Sequence, residues 1–174
     1  MALAVCLLFD RRADLLLREL WARLEDQGVR TLQSHTHGRH HPHLSYSVLL
    51  EWDLDRVIEA LAGLPDAGGF ELTTHGCVVF PRGRVALAPS LPAEVAVRQE
   101  GVTRTLAATG AQVHRHYQPG QWVPHVSLAT RANGASMPVV VKAVADALPL
   151  TLRVDRAALV DSATGDQWPL TGIP

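Results

Sequence analysis

PHLSYSV, residues Pro42–Val48, returns 82 residues later (His43 to His125) as PHVSLAT, residues Pro124–Thr130. Each stretch reads Pro-His-apolar-Ser and then runs apolar. A bare His-x-Ser is weak evidence, since nine histidines yield roughly one such match by chance. A shared leading proline and a shared strand-like context make the pair far less accidental. On a strand, residues i and i+2 face the same side. His43 therefore points with Ser45, and His125 with Ser127. Leu44, Tyr46 and Val48 are expected on the opposite face, as are Val126 and Leu128.

Working outward, each stretch lies in a similar neighbourhood. LAVCLLF (Leu3–Phe9) is an apolar run of strand length, followed by a helix carrying Leu16, Leu20, Trp21 and Leu24 at helical spacing, with Gly28 as its stop. A polar loop, TLQSHTHGRHHP, leads to the strand His43–Trp52. A helix follows, DLDRVIEALAGLP, with an aspartate near its start. FELTTHGCVVF and RVALAPSL read as two strands joined by the turn PRG. The pattern then repeats. A helix with Pro92 near its first turn is followed by the loop AQVHRHYQPGQW and the strand VPHVSLATR. The helix MPVVVKAVADALP and two closing strands complete the chain. Each half places a strand before a helix, which predicts a duplicated, two-lobed α+β domain over residues 1–174.

Two such strands meeting in a cleft would converge two imidazoles and two hydroxyls, a set suited to a phosphodiester. A neutral histidine can take a proton from an attacking oxygen, and a protonated one can deliver a proton to a leaving oxygen. A pKa of about 6.5 makes both forms available near neutral pH. The hydroxyls can donate to non-bridging oxygens as charge builds on them. This chemistry requires no metal and no cofactor.

The paired motifs resemble those of the two-histidine phosphoesterase superfamily, which includes the 2'-5' RNA ligase family and RNA cyclic phosphodiesterases. The resemblance extends to LLLRELWARLEDQGV, to HYQPGQWVPHVSLA and to the late ALVDSATGDQWPL, and so covers nearly the whole chain. It implies a LigT-like bilobal fold, with two antiparallel sheets flanking a central cleft and helices outside. It implies His43 and His125 as catalytic residues and Ser45 and Ser127 as phosphate-binding ones. The implied substrate is a 2',3'-cyclic phosphate or a 2'-5' linkage in an RNA terminus or small nucleotide, with ligation as the reverse reaction. Two features depart from the pattern. Both motif hydroxyls are serine where threonine is commoner, and Arg131 follows His125 by six residues, one later than the resemblance implies.

The remaining candidates carry competing readings. Arg39 and Arg131 either approach the anion or are ordinary surface charge. Tyr117 and Trp122 bracket the lead-in to the second motif, where an aromatic either stacks on a base or packs structurally. His35, His37, His40 and His41 supply metal-ligand types, but no cysteine or carboxylate stands at zinc spacing. They are expected in a solvated loop, and the same reading suits His114 and His116. Cys6 and Cys77, in apolar runs, read as buried thiols and not as nucleophiles.

Composition narrows the function classes. The chain has 174 residues, 47% of them hydrophobic and 19% charged, and a net charge of -1. That is a globular composition, without the basic surface a duplex-DNA binder needs. No basic region precedes the first apolar run, and no run reaches membrane-span length. The expected protein is a cytoplasmic monomer that does not engage membranes. A non-catalytic module binding nucleotides or RNA ends in the same cleft is the alternative to an enzyme.

Overall fold

The computed structural model describes residues 2–174. Its elements run β1 (Leu3–Phe9), α1 (Arg11–Asp26), β2 (Arg30–Thr31), β3 (His43–Glu51), α2 (Leu54–Ala62), β4 (Phe70–Phe80), β5 (Arg84–Ser90), α3 (Ala93–Ala108), β6 (Gln112–Val113), β7 (Val126–Arg131), α4 (Ser136–Ala147), β8 (Leu150–Asp161) and β9 (Gln167–Leu170). The α+β class follows as expected. So do the four helices, two of which are capped locally at their starts. Asp10 caps α1 by accepting from the Ala13 N–H at 2.8 Å, and Asp53 caps α2 through the Arg56 N–H at 3.2 Å.

The strand order is β2-β7-β5-β4-β8-β1-β3-β6, all antiparallel, with β9 paired to β8. Matching the two halves of the chain pairs β1 with β5, β2 with β6, β3 with β7 and β4 with β8. The order is then a palindrome centred between β4 and β8, so a pseudo-twofold axis passes there. The lobes are not the sequence halves, however. One lobe is β2-β7-β5-β4 and the other is β8-β1-β3-β6, so each takes two of these strands from either half.

The two sheets are continuous with each other. They join through β4 and β8, from Phe70↔Val154 to Thr74↔Leu150, and close again where Leu44 of β3 pairs with Val126 of β7. Helices α1 and α4 pack together over the first lobe, and α2 and α3 over the second. Trp21, Tyr46, Phe9 and Leu17 are among the largest fully buried side chains. Full burial of each is worth roughly 2–3 kcal/mol. Leu16, expected in the core, is only partly buried, and its neighbour Leu17 takes that place.

Two expectations fail for reasons of sheet geometry. Cys77 is only partly buried. Beyond Thr74, β4 has β5 as its one recorded neighbour, so its end projects as a hairpin. Val48 does not share the face of Leu44. Val5 pairs with Ser47 and Cys6 with Ser45, which leaves Tyr46 as an extra residue, a β-bulge. The bulge reverses the alternation. Leu44, Tyr46 and Leu49 lie in the core, and Val48 joins Ala4 on the inner face.

Candidate active site

β7 carries the same bulge at the same place. Val85 pairs with Ala129 and Ala86 with Ser127, so Leu128 is the extra residue. Tyr46 and Leu128 each stand three positions after their motif histidine. A bulge diverts backbone groups from the ladder, and both motifs satisfy one such carbonyl with an indole. Trp21 in α1 donates Nε1–H to the Ser127 carbonyl at 3.0 Å, and Trp122 donates to the Ser45 carbonyl at 3.0 Å. The buried Gln99 of α3 donates to the Tyr46 and Tyr117 carbonyls at 2.9 and 2.8 Å. Trp21 and Gln99 carried no signal beyond helical spacing, because the carbonyls they meet are displaced by bulges.

The pairing of Leu44 with Val126 sets the geometry of the histidines. Antiparallel register directs His43 toward Ser127 and Ser45 toward His125. Each histidine thus approaches the serine of the other motif. Leu44 and Val126 are fully buried, so the four polar side chains alternate to the inner face. Both imidazoles are held alike. His43 Nδ1 lies 2.7 Å from the His41 carbonyl oxygen, and His125 Nδ1 lies 2.8 Å from that of Val123. A carbonyl can only accept, so Nδ1 carries the proton in both and Nε2 is left for chemistry.

Burial lowers the pKa of both histidines. For His43 the His41 hydrogen bond opposes this, and charge on His125 and His41 adds to it. For His125 the Val123 carbonyl opposes it, and the charge of Arg84 adds to it. A charge on His125 thus disfavours protonation of His43.

The other candidates separate. Tyr117 is half-buried: burial pushes its phenol up to about 12, while the nearby Ser45 side chain and the charge of Arg84 act the other way. Trp122 has its polar atom committed to Ser45 and packs edge-on to Tyr46, with ring centres 6.0 Å apart. Arg39 bonds the Thr164 carbonyl and lines a 570 Å³ concavity with Arg18, His40, His41 and Gly165–Gln167. A second concavity of 420 Å³ lies on the other side of the same loop, against Arg30, Thr31 and Thr130. Neither contains a motif histidine. Arg131 is exposed and pairs with Arg30 beyond a second register shift, at Thr130, so the facing of Ala129 does not carry over to it.

Two residues on the inner face were read only as the ends of two strands. Phe80 packs its ring on His125, with centres 4.8 Å apart, and Arg84 pairs directly with Phe80. The histidine loop is less solvated than expected. His40 is buried, hydrogen-bonded to Thr36 Oγ1 at 2.8 Å and stacked against His37 and His35. Burial, then the charges of its histidine neighbours, lower its pKa to about 4. Among the described residues, no group of three or more His, Cys, Asp or Glu is arranged to hold a metal ion. Cys6 is buried opposite Ser45, with its thiol pushed up to about 12 by burial, which disfavours the nucleophilic thiolate.

A pseudo-symmetric α+β fold presenting two His-x-Ser strands across one cleft defines a two-histidine phosphoesterase-type protein. Comparison of the sequence with known families agrees, and the chain belongs to the 2'-5' RNA ligase superfamily, whose family profile matches residues 14–166. No curated protein matches it significantly. Among solved structures it is similar to E. coli LigT in complex with 3'-AMP (18% identity, TM-score 0.62, covering 97% of this chain and 96% of that one). It is also similar to a phosphoesterase (17%, 0.62, 97% and 97%) and to Kluyveromyces marxianus Usb1 with uridine monophosphate (14%, 0.53, 97% and 97%). Among the described residues, no helix is long and apolar enough to cross a membrane.

Proposed function

We propose that the protein is a metal-independent phosphodiesterase acting on a 2',3'-cyclic phosphate or 2'-5' linkage at an RNA end or in a small nucleotide. The observation that carries the reading is the matched state of the two imidazoles. Both have Nδ1 tied to a carbonyl, both leave Nε2 for the substrate, and burial lowers the pKa of each. One ring, neutral, accepts a proton from water as its oxygen bonds to phosphorus. The other, protonated, gives a proton to the ribose oxygen as its bond to phosphorus breaks. The product is a phosphomonoester beside a free hydroxyl. The Ser45 and Ser127 hydroxyls donate to the non-bridging oxygens. The nucleotides bound by LigT and Usb1 support an RNA-end or mononucleotide substrate.

The test is turnover of 2',3'-cyclic mononucleotides and of short RNAs ending in a cyclic phosphate, followed by chromatography in the presence of EDTA. Hydrolysis unaffected by EDTA is expected. Activity abolished by EDTA and restored by zinc would overturn the mechanism. Binding without turnover at high protein concentration would favour the non-catalytic module.

A further inference from the structure

We propose that Arg84 is the phosphate-binding cation of this site. The inference rests on the phosphodiesterase reading and assigns the charge partner that the two motifs lack. On β5, Val85 and Leu87 are buried in the core, so Arg84 and Ala86 alternate to the inner face. Ala86 pairs with Ser127, and Arg84 follows Ala86 along that face. Across the hairpin Arg84 pairs with Phe80, whose ring lies on His125. The guanidinium therefore projects from the same wall as His125 and Ser127. Its charge also acts on His125 and on Tyr117.

Two further facts point to an anion. Arg84 is exposed and, like several other arginines, among the described residues has no carboxylate partner and no side-chain hydrogen bond, so its guanidinium is free to meet a ligand. Its hairpin is also fixed against β7. The Ala132 N–H donates to the Gly83 carbonyl at 2.6 Å, and Gly83 has φ +73° with a Cβ there falling 2.5 Å from the Ala132 carbonyl oxygen. An unpaired guanidinium on a braced turn, beside two imidazoles and two hydroxyls, has the donor geometry for two phosphate oxygens.

The experiment compares wild type, Arg84→Gln, Arg84→Lys and, as a surface-cation control, Arg104→Gln. Titration with inorganic phosphate is expected to show affinity at least about tenfold weaker in Arg84→Gln, intermediate in Arg84→Lys and unchanged in Arg104→Gln. kcat/KM for a cyclic mononucleotide should follow the same order. The pH–rate limb belonging to His125 should move to higher pH in Arg84→Gln, because a neighbouring cation has been removed. A purely structural role would not move that limb. Phosphate affinity and pH limb equal to wild type in Arg84→Gln would overturn the proposal, as would absence of phosphate binding by wild type. If wild type turns over no cyclic phosphate yet phosphate binding falls in Arg84→Gln, the assignment of Arg84 stands and the enzymatic reading fails.

Discussion

His43 and His125 are asked to do opposite things from equivalent settings. Removing either imidazole leaves water without its base or the leaving oxygen without its acid. His43→Ala and His125→Ala should each lower kcat by about 10²–10⁴-fold, with nucleotide binding retained. Burial lowers both pKa values, so neutral forms are favoured and protonation requires more acid than for a free imidazole. The bell-shaped kcat/KM profile of the free enzyme should therefore peak below about pH 6.5. A peak at pH 7.5 or above would contradict this assignment. His40 has a separate consequence. Its folded-state pKa of about 4 lies below the unfolded value, so the unfolded chain binds more protons between them. Stability is complete above about pH 6.5 and falls as the pH drops toward 4. Urea midpoints should record that decline, and His40→Asn should flatten it.

The element that positions the site is the bulged strand, present twice. Each bulge releases a serine carbonyl that a tryptophan N–H then satisfies. Trp21→Phe keeps most of the buried ring but strands the Ser127 carbonyl, and should cost about 1–3 kcal/mol in urea unfolding. Turnover should fall with little change in KM, because Ser127 is misplaced. Asp10→Ala removes only the cap of α1, should cost about 1 kcal/mol, and should leave turnover per folded molecule unchanged. The helices and most strands were legible from periodicity and from local signals such as the stop at Gly28 and the aspartate near the start of α2, which act over a few residues. The bulges at Tyr46 and Leu128 were not, since a bulge is defined by the partner strand. That is why strict alternation misplaced Val48.

At the scale of the whole molecule, duplication and lobes do not coincide. Each lobe interleaves strands from both halves of the chain. Residues 2–80 alone would leave β1 without β8 and β4 without β5 or β8. That fragment should show no cooperative unfolding transition by circular dichroism. A cooperative transition would mean that the halves fold independently. The sequence by itself determined the α+β class, the duplication and the pairing of His43-Ser45 with His125-Ser127. Those follow from periodicities of 2 and 3.6 and from a motif written twice. Only the tertiary structure decided that the two motifs meet through Leu44 and Val126, with His43 opposite Ser127, and that Phe80 packs on His125 beside Arg84. Those contacts arise from strands distant in sequence, and their facing depends on register and bulges that no local pattern encodes.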